Sequence, residues 1–251
     1  MQPEKPQKGN PHQLTIKQHV FPARSIERFV RSDGTVSVKR RQASNKLKDL
    51  ILSPWDEMFC AKRVWDQRAE SGYMRRIEAE FQELADRIVA GQRALSVNES
   101  GIVTTFFALW RSRFHFQHYP LSDPVMSGVS GETLSKDQEE ILEKMGASFI
   151  RSDQTIPSRF TSGVLIEIKI DEMACSLKDY KWGVVSAEEG EFVLPDTFGK
   201  WCIVPVTPTV CLVCNQVDTR IARHQVVELN RDAVQAAKQY FVARDFSQCP
   251  L

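Results

Sequence analysis

The chain has 251 residues, 42% of them hydrophobic and 26% charged, the make-up of an ordinary soluble globular protein with a substantial core. Its longest uncharged apolar run, residues 201–214, is broken by Pro205 and Pro208 and is too short for a membrane-spanning helix. The net charge of +1 hides an asymmetry: residues 1–48 carry eleven Lys or Arg against three acids, a local +8 that leaves −7 for the remainder.

A basic arm on a balanced body suits a polyanion partner, RNA or DNA first, and an acidic protein second. The plainer reading is a solvated basic tail. The first twenty residues are polar, so no secretory leader is expected. The expectation is a cytoplasmic protein, without membrane contact, whose six cysteines are free thiols.

Residues 1–13, rich in Pro, Gln, Lys and Gly, read as a flexible basic tail, and 14–251 as one α+β domain. The stretch KQHVFPARSIERFVRSDGTVSVKR follows. It carries His19, a short amphipathic turn with Ile26, Phe29 and Val30, an Asp33-Gly34 turn and an alternating strand from Thr35 to Val38. Ser44 then predicts a cap for a short helix containing Leu47, Leu50 and Ile51, ended by Pro54.

Tyr73, Ile77, Phe81, Leu84 and Ile88 form one helical stripe. Ser96-x-x-Glu99 is a capping box for a second long helix, antiparallel to the first, with Val103, Phe106, Phe107, Trp110 and Phe114 inward. Residues 119–133 read as loop, and Ser135-x-x-Gln138 opens a third helix ended by Gly146. Residues 164–180 fit a strand and a helix equally well. From Trp182 onward KWGVVSA, EFVLP, KWCIVPV and TVCLVCN read as strands, and Asn230 as the cap of a last helix. The fold class expected is α+β, a helical layer packed on a mostly antiparallel sheet built from the N-terminal strand and residues 182–215.

Four patterns point toward nucleic-acid chemistry. His19 in Q-H-V-F-P matches the general base at the first strand of His-Asn-His nucleases, where Mg²⁺ or Mn²⁺ assists, but only Asp33, Asn45 and Asp49 follow as candidate ligands. Glu167-x-Lys169 with Asp153 upstream echoes restriction-type nucleases. Arg113-x4-His118 has the spacing of the arginine–histidine pair of helical RNases of the HEPN class. Arg111, Arg113, His115 and His118, with Lys39, Arg40 and Arg41 on the basic arm, are the candidate nucleic-acid contacts. Each has a plain alternative: a hydrogen-bonded histidine, a chance tripeptide, a solvated helix end. Cys211-x-x-Cys214 in a strand puts its sulfurs on opposite faces, so no zinc knuckle and no metal site is assigned.

His19, Pro22 and Phe29, then Asp33-Gly34-Thr35-Val36, Trp182, Phe192 to Asp196, Pro205 with Pro208, and Asn230 occur in an order that resembles the family called domain of unknown function 4238. Pro195 precedes Asp196 where that family has an Asx-Pro turn. The resemblance implies that residues 166–179 are helical, and it implies no activity.

Taken together, these features predict a nucleic-acid-binding or nucleic-acid-cleaving protein, nuclease-like, of a bacterial defence or toxin kind. The alternative is a non-catalytic interaction module whose basic arm docks an acidic partner. His19 and Asp196, 177 positions apart, are expected to meet, with Arg24 holding Asp196 ionised. These three residues are the expected catalytic set, or else a structural tie between the N-terminal segment and the sheet.

Overall fold

In the computed structural model, residues 4–44, 46–199 and 201–251 are described. The chain opens with β1 (Lys17–His19), α1 (Ala23–Glu27), β2 (Val36–Arg41), β3 (Leu47–Leu52) and β4 (Cys60–Lys62). Helices α2 (Gln67–Ala69), α3 (Arg75–Val89), α4 (Val97–His118), α5 (Lys136–Lys144) and α6 (Ser158–Ser176) follow. The last part is β5 (Trp182–Ala187), β6 (Leu194–Pro195), β7 (Ile203–Thr207), β8 (Val210–Cys214), β9 (Thr219–Ile221), α7 (Arg223–Ala236) and β10 (Tyr240–Ala243). Helices packed with antiparallel sheets make this an α+β fold.

Local chemistry explains most of these elements. Gly34 takes φ +79, and Asp33 Oδ1 accepts the Thr35 N–H at 3.0 Å, which closes the turn into β2. Val36 and Val38 alternate inward. Both capping boxes form: Ser96 with Glu99 on α4, and Ser135 with Gln138 on α5. On α3, Phe81, Leu84, Ala85 and Ile88 are buried, and Phe81 stacks on Phe106 of α4 with ring centres 3.6 Å apart. Helix α4 packs against α3 on one side and α6 on the other, so nearly every side of it is covered.

The sheet differs from the one expected. The described residues form two four-stranded sheets, ordered β3-β2-β10-β6 and β7-β8-β5-β9, and a β1-β4 ribbon. The N-terminal strand β2 pairs with β10, which brings β6 alone of the strands within residues 182–215 into its sheet; β5, β7 and β8 form the other sheet, where β9 joins β5 in parallel. The segment after Ser44 is strand β3, not a helix. It pairs along its whole length with β2, and that tertiary ladder outweighs a helical spacing of leucines. Residues 164–176 are helical, in α6. Helix α7 begins at Arg223, so Asn230 is no cap. It lies buried inside the helix and ties three segments together: it accepts from Val193 N and donates to the carbonyls of Glu191 and Pro250.

Residues 4–13, expected as a flexible tail, lie along α5. Gln7 N donates to Glu140 at 2.7 Å, and His12 meets Asp137 at 2.7 Å. No helix among the described residues is long and apolar enough to cross a membrane, and all six cysteines are free.

Candidate functional site: a basic cleft between two helices

The three residues expected to form a catalytic set each have other partners. Arg24 Nη2 sits 2.7 Å from Asp86, not on Asp196. Asp196 is buried, and its carboxylate accepts the backbone N–H groups of Lys238 (2.9 Å), Gln239 (2.6 Å) and Tyr240 (3.4 Å). Burial pushes its pKa up, opposed by those three N–H groups and by the nearby His118. It is a brace for the turn into β10. The ring of His19 stands edge-on to Trp55 at 5.5 Å, and its buried Nε2 has no hydrogen-bond partner. Burial lowers its pKa, with opposing pulls from the Pro54 carbonyl and Glu78 and a further push down from Arg113. No hydrogen bond among the described residues joins His19 to Asp196.

The other nuclease patterns come apart for similar reasons. Asp33 is spent on Thr35, Asp49 pairs with Lys39 at 2.8 Å, and Asn45 lies outside the described residues. Asp153 closes its own turn on Thr155. Glu167 and Lys169 are two positions apart on α6, which turns them roughly 200° from each other around the axis. Among the described residues there is no group of three or more His, Cys, Asp or Glu side chains placed to hold a metal ion.

Helix α4 splits the Arg-His cluster into two faces. Arg113 is 1% exposed, bonded to Glu78, 3.5 Å from Glu70 and stacked over Trp65 at 5.2 Å. Burial works against its charge, but Glu78 and Glu70 more than offset that and keep it protonated. His118 turns its Nδ1 to the Phe114 carbonyl at 2.9 Å and buries its Nε2. Neither group is presented to a substrate. On the basic arm, Lys39 is paired, and Arg41 caps the end of α7 through the carbonyls of Val234 (2.5 Å) and Ala237 (2.9 Å). Arg40 alone of that trio is exposed and unpaired among the described residues.

Arg111 and His115 do come together. They stand one turn apart on the outer face of α4 and line a cleft of about 510 Å³ whose other wall is α6, contributing Lys169 and Glu172. Arg111 lies over the Phe107 ring at 5.6 Å. Neither Arg111 nor Lys169 is in an ion pair among the described residues. Partial burial, then the nearby Lys169, lower the pKa of His115, which favours its neutral form.

The floor of the cleft holds a residue that the sequence reading missed. Cys202 lines it, and Cys214 lies opposite on the neighbouring strand, joined by Cys214 N to Cys202 O at 2.9 Å. The Cys214 thiol beside it favours the Cys202 thiolate, burial opposes it and Arg111 adds to it, and the net effect is to pull the pKa of Cys202 down. The symmetry of positions 202 and 214 about the turn at Pro208 and Thr209 was the available signal.

No family model matches the chain, and no curated protein or solved structure matches it either.

Proposed function

We propose that this protein binds RNA through the α4–α6 cleft and cleaves it there without a metal. The observation that carries the reading is the convergence of Arg111, His115 and Lys169, from two helices, on one cleft with no acid paired to either cation. Arg111 supplies a planar fork for a phosphate, and Lys169 a point charge on the opposite wall. A neutral His115 in the same cleft accepts the proton of a ribose 2′-hydroxyl, and that oxygen attacks the adjacent phosphorus; a 2′,3′-cyclic phosphate closes as the bond to the 5′-oxygen breaks, and the departing 5′-oxygen takes a proton from water. The two cations then stabilise the charge gathering on the phosphate oxygens. DNA lacks the 2′-hydroxyl and is bound without being cut.

The test is incubation with single-stranded RNA and DNA at low salt, with and without chelator. RNA cleavage that survives chelation and is lost in His115→Ala supports the reading. Arg111→Ala and Lys169→Ala each weaken binding several-fold and flatten its salt dependence by about 0.7 in slope. Absence of RNA binding even at low salt sinks it.

A second observation favours the acidic-protein reading. Arg40 and Lys48 face each other directly across the β2–β3 hairpin, a repulsive pairing, and β3 is a free sheet edge with Leu47 and Ile51 exposed. An acidic strand added to that edge relieves the repulsion. Its mark is a protein complex lost on Lys48→Glu while RNA binding is kept.

A further inference from the structure

A second, larger cleft, about 880 Å³, is lined by Arg63, Arg151 and Arg159 with Gln117, Ser122 and Ser162 among its polar walls. Its size and its mixture of charged and neutral donors are those of a small-molecule site.

The arginines are unusual for how little water they see. Arg63 and Arg159 are each 4% exposed. They share one buried carboxylate, Glu143, at 2.5 Å from Arg63 Nη2 and 2.8 Å from Arg159 Nε. One carboxylate between two buried guanidinium groups leaves an excess positive charge, which is costly to bury without another anion. Both groups also keep an unpartnered, buried N–H group: Nε of Arg63 and Nη2 of Arg159. Arg63 has φ +52, a conformation that costs a non-glycine residue energy and is retained where the side chain must be aimed.

The missing anion is supplied by Glu4. Its carboxylate bonds Arg159 and Lys136, and accepts from Arg151 Nη2 at 3.0 and 3.1 Å, while Arg63 Nη1 reaches its backbone carbonyl at 3.3 Å. Burial raises the pKa of Glu4, but Arg159, Lys136 and Arg151 together outweigh it and bring the carboxyl down to about 2. Three cations on one carboxylate form an oxyanion seat. The carboxylate that fills it comes from a segment without helix or strand between residues 4 and 16, fastened outside the cleft mainly through Gln7 and His12 on α5.

We propose that this cleft is a binding site for a small molecule bearing a terminal phosphate or carboxylate, and that Glu4 is its built-in competitor. In this view the ligand's oxyanion takes the place of Glu4 on Arg151, Arg159 and Lys136. The ligand body then lies along Gln117, Ser122 and Ser162. The site is separate from the α4–α6 cleft and does not depend on RNA chemistry there.

Glu4→Gln keeps the shape of the side chain and removes the competing charge. Binding of inorganic phosphate and of acetate is measured by calorimetry on the unaltered protein, on Glu4→Gln and on Glu4→Gln with Arg151→Met. The expected result is about tenfold tighter binding of one of the two anions to Glu4→Gln, as follows when an occluding state that holds nine-tenths of the molecules is removed. Arg151→Met abolishes the gain. Preference for phosphate or for acetate names the ligand's head group. If Glu4→Gln binds both anions no better than the unaltered protein, Glu4 is a structural clasp and the proposal fails. A second measurement covers the case in which Glu4→Gln does not fold. In the unaltered protein, phosphate in place of chloride at equal ionic strength speeds amide exchange at Gln7 and Leu14, whose N–H groups are bonded to Glu140 and Asn10. Unchanged exchange in both phosphate and acetate overturns the proposal.

Discussion

Arg111 and Arg113 are two residues apart on one helix and live in opposite worlds. Arg111 borders an open cleft over an aromatic ring with no acid paired to it among the described residues; Arg113 is enclosed, with Glu78, Glu70 and Trp65 around it. Two positions on a helix are roughly 200° apart, so a sheathed helix presents one to solvent and buries the other. The difference teaches that charge held in the interior serves the fold, while charge left uncompensated at a cleft is available to a ligand.

The sharpest way to break this comparison is to remove each cation in turn. Arg113→Met strands Glu78 and Glu70 beside an apolar core, and we expect a loss of about 3 kcal/mol in urea denaturation. Arg111→Ala leaves stability within about 0.5 kcal/mol. Equal losses in the two variants would erase the distinction.

Asp66 tests the interior from the other direction. It is buried, its Oδ1 has no hydrogen-bond partner, and burial raises its pKa to about 6 from an ordinary 3.8, against a smaller pull from Arg68. Because the folded value is the higher one, the carboxyl contributes fully only below about 3.8 and loses that contribution as pH rises through about 6. Asp66→Asn is therefore expected to stabilise the protein by about 1–2 kcal/mol near neutral pH, with the advantage gone in acid. Denaturation midpoints across that range decide it; a variant less stable at neutral pH contradicts the sign.

Cys202 sharpens the cleft side. Its rate of alkylation should rise with a midpoint below that of an ordinary thiol, and the midpoint should move upward in both Arg111→Ala and Cys214→Ser. An unmoved midpoint in Arg111→Ala means that the cleft exerts no useful positive field. The smallest effect belongs to Arg24. Its pair with Asp86 is half exposed on both sides, so Arg24→Ala costs under about 1 kcal/mol, and moderate salt removes even that.

Local signals were read well where they act locally. The stripe of α3, the two capping boxes and the Asp33-Gly34 turn depend on neighbours within a few residues, and each appears where the pattern put it. The segment from Leu47 to Leu52 has a helical spacing of leucines, and its pairing with β2 overrode it. Asn230 has the chemistry of a cap but spends it on Val193, Glu191 and Pro250, partners twenty or more positions away. The Arg113–His118 spacing was visible, yet helical phase alone did not say which arginine the core would enclose.

By itself, the sequence determined an α+β chain with two capped helices, a basic first segment and a β-rich stretch from Trp182. Those properties follow from composition, period and capping, which are short-range. The tertiary structure decided which charges are free. It put Arg24 on Asp86, Arg41 on α7, Asp196 on the turn into β10 and Glu4 among three cations, leaving Arg111, His115 and Lys169 facing one cleft. The physical reason is that pairing depends on distance in space, and distance in space is set by how α4, α5 and α6 pack together.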